Sequence, residues 1–332
     1  MSKIDLAIKL GSNEIIVYRK GYGIVAKEPA FLAVADNDKK LKVKAVGVEA
    51  EKLFLSKAKN VKVYQPINNS EIIDEKMATI LIGEILNRVI DDKVFLMTVN
   101  ALVAVPSAMT EKQLLLLKKV LHQAGINKVG FVQNAVCVRQ ELDIDPHARV
   151  MVVDIGKYIT DISILNDFSF DFGRMYFLGG NDMDKSITTF IADNHELEVS
   201  DLSSENIKNE IASLYDRDMY TTQYVGIDNV NEKYVKHEIS AHEVKLAISN
   251  IYDQIFNFIK EIIKDQPKEI AIDIHNNGVV FVGGASCISG LYEYAKKKLD
   301  FPVCVMENPS DSVILGAGKL LLGEKSFLKI EL

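Results

Sequence analysis

Two stretches of the chain, far apart in sequence, share one pattern of apolar and polar positions. Residues 4–10 form an apolar run that ends at Gly11, and a second apolar run follows directly. Residues 151–155 form a similar run that ends at Gly156, after which the alternating segment 159–165 begins. Branched apolar runs that stop at glycine are typical of two strands joined by a tight turn. The pattern therefore predicts two β-hairpins and, because a repeat of this kind reflects architecture, two equivalent domains.

Apolar residues with helical spacing occur between these predicted strands. Thr110 begins a capping-box pattern that Gln113 completes, and an apolar stripe then continues until Gly125. Two further helices are predicted over residues 181–193 and 241–264, where apolar residues recur every three or four positions. Strands that alternate with helices in both halves of the chain indicate an α/β fold.

Composition limits the class of protein. A length of 332 residues corresponds to about two domains, and 48% hydrophobic with 26% charged residues is ordinary for a folded protein. With 39 basic and 46 acidic residues the net charge is −7, which argues against a nucleic-acid partner. The first residues lack the apolar core of a secretory signal, and the longest apolar stretch, residues 94–105, is too short to span a membrane. We therefore expect a cytoplasmic protein.

The three cysteines show no ligand spacing. Cys137, Cys287 and Cys304 form no CxxC pair, and none lies beside a histidine at the spacing of a metal site. We expect reduced thiols, most of them buried, and we predict no metal site from them.

Glycine turns suggest where a phosphate can bind. Gly11, Gly156 and the pair Gly283-Gly284 each follow an apolar strand, so backbone N–H groups can approach a phosphate without obstruction by a Cβ atom. Any one of these glycines is more often explained by hairpin geometry alone. Their combination in a duplicated α/β chain favours phosphate binding.

Seven segments give the chain a resemblance to a known family. They occur in that family's order and cover nearly the whole sequence. They are residues 19–34, 103–113, 151–156 (MVVDIG), 178–191 (LGGNDMDKSITTFI), 205–214, 268–291 and 307–321. With these motifs the sequence resembles MreB, the family of bacterial actin homologues, within the superfamily of actin, sugar kinases and heat-shock-chaperone ATPases.

The resemblance implies an α/β, actin-like duplicated fold. Each of two domains would hold a mixed β-sheet flanked by helices, and four subdomains would surround a central nucleotide cleft. Domain I is expected at 1–147, with a small subdomain inserted at about 32–63. Domain II is expected at 148–332, with a peripheral subdomain at about 180–239. The polar stretch 217–238 is predicted to be a peripheral insertion outside the core.

The resemblance also places the nucleotide site. The two phosphate loops fall on residues 9–13 and 154–158, the adenosine loop on 283–286, and the wall beside the purine on one helix. The implied nucleotide-binding residues are Gly11, Ser12, Asn13, Gly156, Lys157, Lys208, Glu210, Gly283, Gly284, Ala285 and Ser286. ATP or ADP is accordingly the expected cofactor.

Three departures from the family pattern fall on the chemistry. Lys9 stands where the family has the aspartate that organises Mg²⁺, and Lys157, followed by Tyr158, stands where it has glycines. Asn134 stands where the family has the glutamate that orients the attacking water. An ammonium group repels Mg²⁺ and an amide is no general base, so we predict no bound Mg²⁺ and weak or absent hydrolysis. The resemblance therefore leaves no catalytic residue to assign, and the catalytic positions of the degenerate site are Lys9, Asn134 and Asp154.

Several arrangements stay open at these positions. Lys9 and Lys157 can contact phosphates directly, can pair with Asp154 and close an empty cleft, or can point to solvent. The pairing with Asp154 is favoured, because Tyr158 fills space in which glycine would admit a phosphate. Gln133 and Asn134 can also serve as ordinary caps of the helix that follows.

Residues Phe95, Leu96 and Met97 form an apolar cluster at the place where MreB proteins carry a loop for membrane attachment. The cluster is either the early start of a strand or an exposed membrane-inserting loop. The resemblance implies the chain itself, other MreB-like proteins and the inner membrane surface as partners. It implies a cytoplasmic protein that is peripheral at the inner face of the cell membrane.

The function implied by the resemblance is that of an MreB-like cytoskeletal filament protein involved in bacterial cell shape. Two alternatives stay open. One is a slow Mg-ATPase in which Asp161 or Asp182 holds the metal ion. The other is a regulator that does not polymerise but acts on related filaments. Whether the protein is an enzyme is left open by these residues.

Overall fold

The computed structural model describes residues 3–11, 13–35, 41–68, 71–90, 98–145, 147–166, 169–216, 219–228 and 230–323. The chain divides into two compact units. Unit 1 comprises Met1–Ile144, Phe168–Phe170 and Asp311–Leu332, and unit 2 comprises Asp145–Asp167 and Asp171–Ser310. The division into domains I and II implied by the resemblance instead assigns every residue from 148 onward to the second half.

Strands and helices alternate along most of the chain. The strands are β1 (Lys3–Leu10), β2 (Glu14–Arg19), β3 (Gly23–Pro29), β4 (Leu32–Ala35), β5 (Val43–Val46), β6 (Val61–Tyr64), β7 (Ile67–Asn68), β8 (Glu71–Ile72), β9 (Thr98–Val105), β10 (Lys128–Gln133), β11 (Val150–Ile155), β12 (Thr160–Asn166), β13 (Ser169–Tyr176), β14 (Leu197–Glu198), β15 (Thr221–Asp228), β16 (Tyr234–Ser240), β17 (Val279–Val282) and β18 (Val303–Val305). The helices are α1 (Val48–Leu55), α2 (Glu75–Val89), α3 (Glu111–Gln123), α4 (Asn134–Arg139), α5 (Gly180–His195), α6 (Asp201–Ile211), α7 (Ala241–Asp265), α8 (Lys268–Asn277), α9 (Leu291–Lys298) and α10 (Ser312–Leu322).

Unit 1 is built around a five-stranded mixed sheet in the order β10-β9-β1-β2-β3. Strand β1 pairs antiparallel with β2 and parallel with β9. Helices α2 and α3 bury their apolar faces against Ile4, Leu6 and Ile8 of β1. Because side chains alternate along a strand, the opposite face is free to receive α10, which also contacts β1. Residues 32–64 fold as a small sheet, β5-β4-β6, with α1 beside it.

Unit 2 is built around a second five-stranded mixed sheet, β13-β12-β11-β17-β18. Strand β11 pairs antiparallel with β12 and parallel with β17, as β1 pairs with β2 and β9 in unit 1. The long helix α7 contributes its predicted apolar stripe to the core, and every member of it is buried. These residues are Val244, Ile248, Ile251, Ile255, Ile259 and Ile262.

The two predicted hairpins are confirmed, and their turns have the same geometry. The N–H of Gly11 donates to the carbonyl oxygen of Glu14 at 2.9 Å, and the N–H of Gly156 donates to that of Ile159 at 2.8 Å. Helix α3 begins with the predicted capping box of Thr110. The duplicated α/β architecture expected from the sequence is therefore present in both units.

Two expectations about burial are wrong. Residues 217–238 contain most of the hairpin β15–β16, and one face of that hairpin is buried: Tyr224 lies in the core of unit 2, with its hydroxyl group bonded to His195 at 2.6 Å. Alternate positions of a polar segment can pack inward when their polar atoms find partners. Of the cysteines, Cys137 is buried, whereas Cys287 and Cys304 are exposed.

No helix in the part of the chain that the structure describes is long and apolar enough to cross a lipid bilayer.

Candidate functional site

The loop after β11 is joined to the first turn of α5. The carbonyl oxygen of Gly156 accepts a hydrogen bond from the N–H of Gly180 at 2.9 Å, and that of Lys157 accepts one from the N–H of Asn181 at 2.7 Å. The first N–H groups of a helix have no partner within the helix, and anions often occupy them. Here loop carbonyls satisfy two of them. A Cβ atom at Gly179 would lie 2.6 Å from the Gly156 oxygen, so this approach requires glycine.

Lysine 157 is held by a carboxylate of α6. Its Nζ atom lies 2.9 Å and 3.2 Å from the two carboxylate oxygens of Glu205. The sequence-based interpretation favours Asp154 as the partner, and the structure adds Glu205, which that interpretation does not include. Tyr158 lies beside the same ammonium group, with its ring centroid 5.9 Å from Nζ.

Lysine 208 forms a second ion pair, between α6 and α5. Its Nζ atom lies 2.6 Å from Oδ1 of Asp184 and donates to the carbonyl oxygen of Gly180 at 3.1 Å. Asp184 is buried, and burial raises the pKa of its carboxyl group, while the Lys208 ammonium opposes that rise. Of the lysines predicted for the site, Lys157 and Lys208 thus have carboxylate partners.

Glutamate 210 points away from this pair. It accepts a hydrogen bond from the Oγ1 of Thr222, on β15, at 2.8 Å. Residues two positions apart on a helix lie on different faces, so Lys208 faces α5 and Glu210 faces the three-stranded sheet β14-β15-β16 of unit 2. Glu205, three residues before Lys208, shares its face, and this spacing is the signal that could have identified it.

The predicted adenosine loop follows β17. Gly283 has a φ of 90°, a left-handed conformation that favours glycine, and its backbone approaches Ile155 and the carboxylate of Asp154 too closely for a side chain. At Gly284, in contrast, an added Cβ atom would meet no atom within 4 Å. The loop is therefore tightly packed at its first glycine and open at its second.

The remaining residues of this loop are fixed by hydrogen bonds. The hydroxyl group of Ser286 is buried and donates to the carbonyl oxygen of Val282 at 2.6 Å. The hydroxyl group of Tyr252 donates to the carbonyl oxygen of Ala285, also at 2.6 Å. Because the Ser286 proton is given to a backbone carbonyl and no base receives it, Ser286 has the geometry of a structural residue rather than a nucleophile.

In unit 1, two lysines lie near the acidic residue Glu14. Burial raises the pKa of the Glu14 carboxyl group, whereas the nearby ammonium groups of Lys27 and Lys9 oppose that rise. Lys9 lies on β1 and is half-buried. Lys27 also forms an ion pair with Asp311 at 2.7 Å. Asn13 lies in the turn after β1, next to Ser12, which is outside the described residues.

Asparagine 134 is the first residue of α4 and is buried. Gln133, the N-cap residue, makes no side-chain capping bond, so the capping role considered for this position from the sequence is not seen at Gln133. An amide oxygen accepts hydrogen bonds but does not take up a proton at neutral pH. The position therefore offers no general base.

The residues present do not fit a bound Mg²⁺ ion. The position expected to organise the metal carries the ammonium of Lys9, and a hard divalent cation requires carboxylate or water oxygens. Among the described residues, no group of three or more His, Cys, Asp or Glu side chains could hold a metal ion.

The predicted membrane residues Phe95, Leu96 and Met97 lie outside the described part of the chain.

The sequence matches one known protein family over nearly its whole length. Residues 3–329 match the family described as MreB/Mbl protein. The chain is 26% identical over 320 residues to the cell shape-determining protein Mbl of Bacillus subtilis (strain 168), covering 96% of this chain and 95% of the relative. It is 25% identical to the cell shape-determining protein MreB of Escherichia coli (strain K12), covering 96% and 93%.

Solved structures establish the fold. The crystal structure of MreB5 of Spiroplasma citri bound to ADP has a TM-score of 0.87 at 23% identity, covering 97% of this chain and 96% of that chain. The MamK double helical filament has a TM-score of 0.82 at 19% identity, covering 98% and 100%. The predicted actin-like fold is therefore confirmed.

Proposed function

Because the chain belongs to the MreB/Mbl family, we propose that it is an actin-like cytoskeletal protein that assembles into filaments and contributes to bacterial cell shape. The match of the family over residues 3–329 carries this proposal. The names of the relatives from Bacillus subtilis and Escherichia coli, both cell shape-determining proteins, support it. The MamK double helical filament supports assembly of a chain with this fold.

We further propose that the protein binds ATP or ADP without depending on Mg²⁺ and hydrolyses ATP weakly or not at all. Nucleotide binding is supported by two neighbours in fold, the structures of MreB5 of Spiroplasma citri bound to ADP and bound to AMPPNP. Independence from Mg²⁺ is supported by Lys9 in place of an acidic residue. The absence of a general base at Asn134 supports weak hydrolysis.

Thermal unfolding with nucleotide tests the proposed independence from Mg²⁺. A ligand stabilises the folded state by an amount set by its concentration relative to its dissociation constant, about 2.7 kcal/mol at a hundredfold excess. We expect ADP to raise the melting temperature equally with Mg²⁺ and with a chelator. The matched variant Lys9→Asp, which restores an acidic residue, should make that increase larger with Mg²⁺.

Two outcomes would contradict the proposal. A Mg²⁺-dependent increase in the unmodified protein would favour the slow Mg-ATPase with another metal-binding carboxylate. No increase under either condition would exclude nucleotide binding and leave the proposed filament role untouched.

We also propose that Phe95, Leu96 and Met97 attach the protein to the inner membrane surface from the cytoplasm. Burial of each side chain in lipid would contribute about 1.5–3 kcal/mol, and a filament would add many copies. Replacing all three by Ser should abolish co-sedimentation with liposomes while the melting temperature stays unchanged. The control Leu115→Ser alters an exposed leucine elsewhere in unit 1 and should bind as the original does. A strong loss of stability in the triple variant would instead identify the three residues as core.

A further inference from the structure

A cavity of about 730 Å³ lies in unit 1, at the end of the sheet opposite the glycine turn. Strands β1, β9 and β10 run parallel, so their amino ends meet at one edge, where Lys3 and Lys128 begin two of them. This edge is about 25 Å along β1 from Gly11, at ~3.3 Å per residue. The cavity is therefore separate from the predicted nucleotide loops.

Basic side chains dominate the cavity wall. Lys3, Lys20, Lys118 and Lys128 line it, together with a single carboxylate, Asp5. That carboxylate is already engaged: it lies 3.1 Å from the Nζ of Lys3 and accepts a hydrogen bond from the Asn100 amide at 3.0 Å.

Of the other three lysines, Lys20 acts on Asp5 only at longer range than an ion pair. Within the part of the chain that the structure describes, Lys20, Lys118 and Lys128 form no ion pair. This cavity wall therefore carries a local excess of positive charge in a chain whose net charge is −7.

Backbone charge does not cancel this excess. Helices α3 and α10 end close to the cavity, where His122 and Gly323 contribute to the wall. The carboxyl end of a helix carries roughly half a negative elementary charge, so the two helix ends together contribute about one negative charge. Three unpaired ammonium groups exceed that, and the cavity stays positive.

We propose that this cavity, the lysine cavity, binds a phosphate ester. Ammonium groups are compact charges that suit phosphate oxygens, and several of them around one space favour a multiply charged oxyanion. The volume falls within the range of small-molecule sites, about 300–1,000 Å³, and exceeds what a bare phosphate needs. Leu102, Leu320 and Leu321 also line the cavity and offer an apolar wall to the organic part of the ester.

Two sources can supply such a ligand, a soluble organic phosphate or the headgroup of an anionic phospholipid. The first probe is glycerol 3-phosphate, titrated by calorimetry. The second is co-sedimentation with vesicles of phosphatidylglycerol and phosphatidylcholine, compared with vesicles of phosphatidylcholine alone. Binding of only the first probe identifies a soluble ligand, and binding of only the anionic vesicles identifies a lipid headgroup.

The double variant Lys20→Gln/Lys128→Gln removes two charges from the lysine cavity. The matched control, Lys44→Gln/Lys112→Gln, removes two exposed charges of unit 1 that do not line it. We expect the cavity variant to weaken binding of whichever probe binds by about tenfold or more, and the control to change it by less than about twofold. Added salt should weaken the same binding, because the charges are partly exposed.

Equal melting temperatures for the two double variants would show that folding is intact. If the cavity variant melts lower, the single variant Lys118→Gln replaces it, with Lys112→Gln as its control. Failure of both probes to bind, or equal binding by the cavity and control variants, would overturn the proposal. Liposome binding through Phe95, Leu96 and Met97 is measured with phosphatidylcholine alone, so the two proposals can fail independently.

Discussion

Two lysine–carboxylate pairs, Lys157 with Glu205 and Lys208 with Asp184, join α6 to the loop after β11 and to α5. The second pair is the more buried, since the side chains of Lys208 and Asp184 are 15% and 5% exposed. Charges taken out of water are costly when one partner is removed, because the other is left without compensation. The consequences of breaking this pair can therefore be measured.

The variant Lys208→Met should lower the free energy of unfolding by roughly 2–4 kcal/mol, because Asp184 is left buried without its cation. Burial raises the pKa of Asp184 and Lys208 opposes this, so the variant raises that pKa further. A carboxyl group whose pKa is raised on folding stabilises the fold at low pH, and this contribution is lost as the pH rises through the folded value. The loss of stability should thus be larger at about pH 8 than at about pH 5.

Urea unfolding of the original protein and of Lys208→Met at the two pH values measures this pH-dependent loss of stability. The control is Lys185→Met. Lys185 is an exposed lysine next to Asp184 in α5, and its Nζ atom lies 3.8 Å from Oδ1 of Asp182, so its loss should change stability little. A deficit in Lys208→Met that is the same at both pH values would show that Asp184 does not respond to the loss of its partner.

At this scale the sequence predicts positions better than partners. Lys157 and Lys208 each follow from a short motif, residues 154–158 and residues 205–214, whose own positions lie close together in sequence. Glu205 and Asp184 are not identified, because their pairing depends on how α5 packs against α6, which no local pattern encodes. The same holds for Cys287 and Cys304, whose exposure is set by the surrounding fold.

At the scale of elements, α10 is fitted to unit 1 through two of its glycines. At Gly316 an added Cβ atom would overlap the carbonyl group of Cys137 in α4. At Gly318 it would lie 2.7 Å from the ring of Tyr18 in β2. The backbone of α4 cannot withdraw as a flexible side chain can, so α10 can approach α4 this closely only with glycine.

The variant Gly316→Ala should therefore destabilise the protein by about 2–4 kcal/mol, through overpacking of α10 against α4. Gly83→Ala is the matched control, because Gly83 also lies inside a helix and the nearest atom to its added Cβ is 3.9 Å away. That change should be neutral or stabilising by up to ~1 kcal/mol. Chemical unfolding measures the change in the free energy of unfolding for both variants. Equal changes would contradict the close packing of α10 against α4.

Elements specified by local signals are predicted well from the sequence. The capping box of Thr110 and the apolar stripe of α7 were sufficient to predict two helices, and each glycine turn marked its hairpin. The hairpin β15–β16 is missed, because its inward positions include Thr222 and Gly226, which carry no hydrophobic signal. Only the packing of the sheet β14-β15-β16 in the folded unit shows that one face of this hairpin is buried.

At the scale of the whole molecule, the chain repeats one design in two units. Each unit has a mixed five-stranded sheet, and in each a glycine N–H closes the first hairpin turn. This duplication and the ordered motifs are visible in the sequence and lead to the actin-like fold. The assignment of α10 to unit 1 is not visible, because it depends on contacts between residues distant in sequence.

A filament whose subunits do not depend on Mg²⁺ and ATP hydrolysis is the central proposal. A head-to-tail contact between copies is heterologous and does not close, so growth continues into long polymers. Sedimentation with electron microscopy of the purified protein tests this in three conditions: with ATP and Mg²⁺, with ATP and a chelator, and without nucleotide. We predict filaments and a similar pelleted fraction in all three. Filaments that require ATP and Mg²⁺ would contradict the proposal, and monomers in every condition would favour a regulator that does not polymerise.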